Sequence, residues 1–231
     1  MAAFKETIVI AVGGSLLVPE QVDVDFLHRL KELVSHFTRE GYQLALVIGG
    51  GKTSRTYHNA ARTFPHVSND DLDWIGIKTI ALNCELLKRV FGDLDLHQEI
   101  IFDSHTLTNT IPSSVILVGA SEPGHSSDYN AVVVAKNIGA RQVINFSNIT
   151  HVYTADPRVD ANAVPLDTIS WDEYRTLIPT EWISNMSAPF DPIASREAQT
   201  LGLTVAVLGS SIDNLQQYLK RESFIGTTIT P

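Results

Sequence analysis

Cysteine is nearly absent from this sequence, since Cys84 is the single one among 231 residues. An internal disulfide is therefore excluded, and a reducing, cytoplasmic environment is expected. The nearest apolar neighbours of Cys84 in the sequence are leucines, so we expect a buried and unreactive thiol.

Basic residues are also scarce. The chain has 17 Lys and Arg residues against 26 Asp and Glu residues, and its formal net charge is −9. This balance argues against a nucleic-acid-binding surface, which needs a basic stripe, but it is compatible with small phosphorylated ligands. No stretch approaches the roughly 20 apolar residues of a membrane span, and residues 8–12 are too short an apolar run for a signal peptide. Neither a nucleic acid nor a membrane is therefore expected as a partner.

Short, β-branched and continuously apolar runs are frequent instead. With 44% hydrophobic residues, the chain can bury one sizeable core. Such runs suggest strands that are covered on both faces, and helical patterns lie between them. One of the predicted helices begins at Asp191-Pro192, with the aspartate as N-cap and the proline in the first turn. Alternating strands and helices predict an α/β fold with a mainly parallel central sheet and helices on both sides. The predicted strands are residues 7–12, 44–49, 113–118, 142–146 and 203–209.

Glycine-rich or polar loops follow four of these strands. Ligands of open α/β sheets bind beyond the carboxyl ends of the strands, and glycines let phosphate oxygens approach backbone N–H groups. Four such loops at one edge of the sheet therefore predict a phosphate-binding region. The loops are VGGS (residues 12–15), GGGKTSR (49–55), GASEPGHSSD (119–128) and SNITHVYTADP (147–157).

Several charged side chains in and near these loops suit a phosphate site. Lys52 and Arg55 lie at a predicted helix start, where the helix dipole disfavours cations, so a nearby anion would explain them. Asp128 either stabilises a helix N-terminus or orients a metal-bound phosphate or a cationic group. For Asp73, too, the sequence leaves both a structural and a functional role possible. The eight histidines show no close metal-ligand pairing, so no structural zinc site is expected.

Seven motifs then occur in order over nearly the whole chain: GGSLLVPE, GGGKTSR, DWIGI, PGHSSD, VYTADP, DPIAS and GTTITP. Together they resemble the amino-acid-kinase family, and most of all its archaeal-type uridylate (UMP) kinases. The resemblance implies a three-layer αβα sandwich, transfer of a phosphoryl group from ATP to UMP with Mg²⁺, and assembly as a homo-hexamer. It also implies a single domain in which residues 1–120 bind the acceptor and residues 121–231 bind ATP.

The resemblance assigns roles to individual positions. If the chain is such a kinase, we further expect Lys52 and Arg55 to supply positive charge to the phosphates and Asp128 to orient the reacting groups. The residues that would bind ATP are Gly14, Ser15, Gly51, Arg55, Ser147, Asn148, Tyr153 and Asp156. Those that would bind UMP are Gly50, Asp73, Ser121, Glu122, Pro123, Gly124, His125, Ser126 and Ser127, with Asp73 at the ribose.

Four residues depart from the family pattern. Thr150 and His151 stand where relatives usually have Asp-Gly, and a histidine would adopt the backbone angles of that glycine only at a cost. Ala11 stands where many relatives carry a phosphate-facing polar or charged residue, and Ala81 where related sequences often have arginine. Because each lost group can weaken transition-state stabilisation by about a few kcal/mol, these departures predict reduced catalysis.

Two other functions fit the sequence. A kinase for a different small phosphorylated acceptor, such as isopentenyl phosphate, would share the fold. Those kinases characteristically have a histidine where this chain has Arg55, and the arginine favours a nucleotide. A non-catalytic member that binds a nucleotide or an oxyanion for sensing or storage would explain the departures at residues 11, 81 and 150–151.

Overall fold

The central element of the fold is a seven-stranded sheet. The computed structural model describes residues 4–181 and 188–231. A separate two-stranded sheet pairs β5 (Val152–Tyr153) with β6 (Pro165–Leu166). Numbered along the chain, the strands of the large sheet lie in the spatial order β3 (Val115–Val118), β2 (Gln43–Ile48), β1 (Thr7–Val12), β4 (Gln142–Phe146), β8 (Thr204–Leu208), β9 (Gly226–Thr230) and β7 (Thr168–Ser170).

The sheet is mainly parallel. Every neighbouring pair in it is parallel except β8 and β9. The five strands predicted from apolar runs correspond to β1, β2, β3, β4 and β8, and their ends agree to within two residues. The predicted α/β fold with a mainly parallel central sheet is therefore confirmed.

Helices cover both faces of the sheet. Alternate side chains of β1 point to opposite faces: Ile8 and Ile10 join one apolar cluster, while Val9 and Ala11 join the other. The first cluster lies under α2, α4 and α8, and the second lies under α5, α6 and α7. The three-layer αβα sandwich is confirmed. The helices are α1 (Gly14–Leu17), α2 (Val24–Arg39), α3 (Gly51–Ala61), α4 (Asn69–Val90), α5 (Ser127–Ile138), α6 (Trp171–Leu177), α7 (Pro192–Thr200) and α8 (Ile212–Leu219).

Side-chain caps fix where two of the helices begin at the carboxyl edge of the sheet. Asp191 accepts hydrogen bonds from the backbone N–H groups of Ile193 and Ala194 at 2.7 and 2.9 Å, and so caps α7. Ser126 accepts one from the N–H of Tyr129 at 3.1 Å and caps α5. Both caps satisfy N–H groups that have no partner within the helix. The two helix starts lie together, because the Ser126 hydroxyl also donates a hydrogen bond to the Asp191 carboxylate.

The sequence predicts that Cys84 is buried and that the chain has no membrane-spanning helix. Cys84 is buried, so the expected burial of its thiol is confirmed, and burial raises the pKa of the thiol to about 12. Across residues 4–181 and 188–231, none of the helices combines the length and the hydropathy that crossing a bilayer requires.

Candidate active site

Two glycine loops contact each other at the carboxyl ends of β1 and β2. A Cβ atom built on Gly14 would lie 2.2 Å from the backbone nitrogen of Gly51, and one built on Gly51 would lie 2.3 Å from the carbonyl oxygen of Gly14. Gly51 also has a φ of +72°, which favours glycine. The backbone N–H of Lys52 donates to Val18 O at 3.0 Å and closes the contact. Neither glycine position can hold a side chain without displacing the other loop.

A pocket of about 210 Å³ opens beside this contact, and we call it the α3–α4 pocket. Most of the predicted UMP-binding residues meet there, although they come from three distant parts of the chain. Ser121, Pro123 and Gly124 lie outside its wall, but the Gly124 N–H donates to Asp73 Oδ2 at 2.9 Å. The lining residues are Gly49, Gly50, Ser54, His58, Asp73, Gly76, Ile77, Ile80, Ala120, Glu122, His125, Ser126, Ser127, Asp128, Ala188 and Asp191.

A second pocket, of about 560 Å³, lies against β5, and we call it the β5 pocket. It contains Asn148, Tyr153 and Asp156, three of the residues predicted to bind ATP. Its wall also includes the end of α6, and it shares Ala188 with the α3–α4 pocket. The two pockets are therefore neighbours at one edge of the sheet.

A third pocket, of about 500 Å³, lies between α1 and α2, and we call it the α1–α2 pocket. Ser15 and Arg55 both line it, and it shares Asn148 with the β5 pocket. Ser147 lies nearby, because a Cβ atom on Gly13 would be 3.2 Å from the Ser147 Cβ atom. The structure thus brings most of the predicted ATP-binding residues to one continuous region.

Lys52 does not line any of these three pockets. Its ammonium group is 2.9 Å from Glu20 Oε1 in a partly exposed ion pair. The sequence could not reveal this partner, because Glu20 reaches Lys52 only through the fold. The positive charge that the sequence assigned to a phosphate is thus engaged by a carboxylate in this structure.

Asp128 and Asp191 form a buried acidic pair at the α3–α4 pocket. Asp128 accepts a hydrogen bond from the Asp191 N–H at 3.1 Å and one from Asn145 Nδ2 at 3.3 Å. Burial, and then the charge of Asp191, raise the pKa of Asp128 to about 8. Burial also raises the pKa of Asp191, whose carboxylate accepts a hydrogen bond from the Ser126 hydroxyl. Burial and the neighbouring carboxyl group thus both favour the protonated form of Asp128.

Asp156 has the opposite environment at the rim of the β5 pocket. The guanidinium of Arg158 contacts both of its carboxylate oxygens, with the shortest distance 2.7 Å. These hydrogen bonds lower the pKa of Asp156 to about 2, so it stays ionised at neutral pH. Arg158 is thus held by Asp156 at the pocket where a nucleotide phosphate or base was expected.

Comparisons with known proteins agree with this geometry. A sequence model of the amino acid kinase family matches residues 6–209. The chain belongs to the amino acid kinase family. It is 30% identical to a uridylate kinase of Pyrococcus abyssi, over 97% of this chain and 99% of that protein. It is 31% identical to a uridylate kinase of Methanocorpusculum labreanum, over 96% of this chain and 94% of that protein.

Solved structures give the same result for this amino acid kinase. The crystal structure of a uridylate kinase from Archaeoglobus fulgidus matches with a TM-score of 0.82 and 25% identity, and the match covers 96% of this chain and 99% of that one. The UMP kinase of Bacillus anthracis matches with a TM-score of 0.77 at 15% identity, over 99% and 97% of the two chains. The similarity to the Bacillus anthracis protein shows a shared fold and nothing more.

The expected backbone strain at Thr150 and His151 is wrong. In the part of the chain that the structure describes, Arg221 is the one non-glycine residue with a positive φ, at 60°. Neither Thr150 nor His151 therefore has a positive φ, and no glycine is needed at either position. The Thr150 methyl group packs against Gly209, and the His151 and Tyr153 ring centroids are 6.0 Å apart. Both side chains line the β5 pocket, so the change alters the wall of that pocket.

Next to Ala11, which departs from the family pattern, the structure has the side chain of Asn145. Ala11 is buried under α5 and pairs in register with Asn145 of β4. The Asn145 side chain donates to Asp128 and, at 2.7 Å, to Pro189 O. A neutral amide therefore contacts Asp128 beside the position where many relatives carry a polar or charged residue. Ala81 lies on α4 and lines none of the three pockets.

Sequence reasoning missed three polar residues of the α3–α4 pocket: Ser54, His58 and Asp191. Asp191 was assigned only as a helix cap, which it also is. Gly51, Ser54 and His58 are spaced three and four residues apart, which places them on one helix face. A helix face without an apolar residue was the signal that could have identified Ser54 and His58.

Proposed function

We propose that this amino acid kinase is a uridylate kinase, which transfers the γ-phosphoryl group of ATP to UMP and forms ADP and UDP. The observation that carries the proposal is the arrangement of the pockets at the Gly14–Gly51 contact. The α3–α4 pocket and the α1–α2 pocket flank this contact, and the β5 pocket adjoins both through Ala188 and Asn148. Similarity to uridylate kinases over nearly the whole chain supports the choice of UMP.

Each pocket has a proposed occupant. UMP would bind in the α3–α4 pocket, with Asp73 at its ribose and the loop 121–127 around it. The adenosine of ATP would bind in the β5 pocket near Tyr153, and its phosphates would extend along the α1–α2 pocket toward Ser15 and Arg55. The two reacting phosphates would then meet at the glycine contact, where the backbone N–H groups at the start of α3 favour anions.

Phosphoryl transfer requires positioning and charge stabilisation more than covalent chemistry from the protein. The glycine loops would hold the phosphates close to the backbone, and Arg55 would contribute positive charge. Asp128 would orient the reacting groups at the junction of α5 and α7. The Lys52 ammonium would need to leave Glu20 before it could contact a phosphate.

ATP and Mg²⁺ are the proposed cosubstrate and cofactor. Across the described residues, no group of three or more His, Cys, Asp or Glu side chains is arranged to hold a metal ion. Mg²⁺ commonly binds through substrate phosphates and only one or two carboxylates. The chain therefore fits an ion that arrives with ATP and is held mainly by its phosphates.

A coupled ADP-release assay tests the proposal. The substrates would be all common nucleoside monophosphates and isopentenyl phosphate, each at millimolar concentration with ATP and Mg²⁺. We expect the highest kcat/KM for UMP. Equal rates for all acceptors, or a preference for isopentenyl phosphate, would contradict the assignment.

A second candidate function is nucleotide binding without turnover. It is favoured by the lack of a Lys or Arg side chain among the described residues that line the α3–α4 pocket. Calorimetry distinguishes the two functions, because tight binding of UMP or ATP with no ADP release would favour this candidate over the kinase.

We also propose a cytoplasmic homo-oligomer, most simply a hexamer, with an acceptor lobe (1–120) and an ATP lobe (121–231). The large apolar side chains of Tyr57, Trp74 and Leu82, on α3 and α4, are 61%, 46% and 63% exposed, which suits a surface covered by another subunit. Light scattering at micromolar concentration tests the assembly, and a monomer would contradict it.

A further inference from the structure

The buried face of α3 has an unusual composition for a helix packed inside an α/β protein. Its buried residues are Gly51, Ser54 and His58, and none of the three is aliphatic. A helix that packs against a core normally buries an apolar stripe. This face lies instead against the α3–α4 pocket, whose wall includes both Ser54 and His58. The face is therefore built for a polar neighbour.

His58 has little contact with solvent, since only 2% of its surface is exposed. Burial, and then the positive charge of Arg62, lower its pKa, while Asp73 and a hydrogen bond with the Leu72 backbone act in the opposite direction. At neutral pH the imidazole is therefore mostly uncharged. A neutral imidazole has one nitrogen that donates and one that accepts a hydrogen bond, so it suits a hydroxyl group.

Ser54 and Gly76 complete this part of the wall. Ser54 Oγ and His58 Nε2 are 3.3 Å apart, one helical turn from each other on α3. A Cβ atom built on Gly76 of α4 would lie 3.5 Å from His58 Nε2 and 3.6 Å from Ser54 Oγ. The missing side chain at Gly76 therefore leaves a methyl-sized opening next to both polar atoms.

The charges of this wall exclude some parts of a nucleotide. Asp73 is on the same wall, and its carboxylate accepts a hydrogen bond from the Gly124 N–H. Among the described residues that line the pocket there is no Lys or Arg, so this wall would repel a phosphate. A carboxylate, a neutral imidazole and a hydroxyl side by side instead match the neutral vicinal hydroxyls of a sugar.

We propose that His58, together with Ser54, binds the ribose hydroxyls of the acceptor nucleotide beside Asp73 and selects ribonucleotides over 2′-deoxyribonucleotides. The inference rests on the proposed function, because it takes UMP as the occupant of the α3–α4 pocket. It adds two residues that determine the sugar specificity of that pocket. A pocket that hydrogen-bonds a substrate hydroxyl rejects the analogue that lacks it, because buried polar groups then lose their partner.

The test compares UMP with dUMP in wild-type protein and in two variants of the same position. His58→Leu removes the polar atoms and keeps much of the volume, whereas His58→Gln keeps an amide near the position of Nε2. His28→Leu is the matched control, because His28 is exposed on α2 and lines none of the three pockets. Thermal melting of each protein checks that it is folded.

Two readouts are measured for each protein: kcat/KM from ADP release, and the dissociation constant of each nucleotide from calorimetry. We expect wild-type protein to prefer UMP, and His58→Leu to lower this preference about tenfold, the scale of one buried hydrogen bond. His58→Leu should lower kcat/KM for UMP more than kcat/KM for dUMP, and it should leave the KM for ATP unchanged. His58→Gln should restore most of the preference, and His28→Leu should retain all of it.

The outcomes separate this inference from the kinase proposal. Equal binding of UMP and dUMP by wild-type protein would overturn the role of His58, whether or not turnover occurs. An unchanged preference in folded His58→Leu protein, or an equal loss for both nucleotides, would overturn it as well. Selective UMP binding that is lost in His58→Leu, without any ADP release, would support the inference and contradict the kinase proposal.

Discussion

The backbone N–H of Asp191 donates a hydrogen bond to the carboxyl group of Asp128, 3.1 Å away. This contact joins the start of α7 to the start of α5 at the wall of the α3–α4 pocket. Because the Asp191 side chain is buried in the same place, the contact also brings two acidic groups together. They accept hydrogen bonds from the Ser126 hydroxyl, the Asn145 amide and backbone N–H groups. The consequences for stability and for activity can be measured separately.

Stability should depend on pH through Asp128. Its pKa is raised to about 8 in the folded protein, so the folded state holds this proton more tightly than the unfolded chain. The contribution of Asp128 to the stability of the folded protein is therefore largest below the pKa that Asp128 has in the unfolded chain. This contribution falls as pH rises toward 8. Asp128→Asn cannot ionise, so its melting temperature should exceed that of wild-type protein by a margin that widens from about pH 5 to about pH 8. A constant or narrowing margin in calorimetric melts would contradict a raised pKa.

Activity should respond to the same substitution in the opposite direction. If Asp128 orients the reacting groups, Asp128→Asn should reduce kcat for UMP by at least about tenfold, because an amide cannot ionise to the carboxylate that would orient a cationic group or a metal-bound phosphate. Asp70→Asn is the matched control, since Asp70 is exposed in the first turn of α4. Steady-state ADP release measures both. Wild-type turnover in a folded Asp128→Asn protein would remove Asp128 from the catalytic residues.

The glycine contact should tolerate no side chain at Gly51. Gly51→Ala would combine a left-handed φ of +72° with a Cβ atom 2.3 Å from Gly14 O. We expect a loss of about 3 kcal/mol or more in the free energy of unfolding, together with loss of activity. Gly139→Ala separates the two causes, because Gly139 has a φ of +75° and no atom within 4 Å of a built Cβ. That control should lose only about 1 kcal/mol in denaturant unfolding. Equal losses at the two positions would show that the close contact contributes nothing.

Restoring Asp-Gly at residues 150–151 should not stabilise the protein. Thr150 and His151 have no positive φ, so glycine relieves no strain there and adds conformational freedom to the unfolded chain. We expect the double substitution to leave the free energy of unfolding unchanged or to lower it by about 0.5–1 kcal/mol. Chemical denaturation measures this value. A gain in stability would restore the strain explanation, whereas a changed KM for ATP at equal stability would place the effect in the β5 pocket.

Much of the fold could be predicted from the sequence because its signals are local. Continuous β-branched runs marked β1, β2, β3, β4 and β8, and a cap such as Asp191 marked a helix start. Residues as distant as Gly50 and Asp128 could be assigned to one edge of the sheet, because parallel strands end at a common edge and the loops there converge. The place of Asp73 came from the family resemblance alone. The strands β7 and β9 carried no comparable apolar run.

Other features depend on packing between distant segments, which one sequence does not reveal. His58 becomes a pocket residue only because α3 packs against α4 with Gly76 opposite it. Lys52 forms an ion pair with Glu20 because the loop after α1 brings this carboxylate within 2.9 Å. His151 has no positive φ. The Asp-Gly pattern of the family therefore did not predict the backbone conformation of this loop.

A crystal structure of the protein with UMP, Mg²⁺ and a non-hydrolysable ATP analogue would test the central claim most directly. We predict that UMP lies in the α3–α4 pocket with its ribose beside Asp73 and His58, and that the adenine lies in the β5 pocket beside Tyr153. The two sets of phosphates should meet at Gly14 and Gly51. UMP bound in the β5 pocket, or an α3–α4 pocket that stays empty at saturating UMP, would contradict the account.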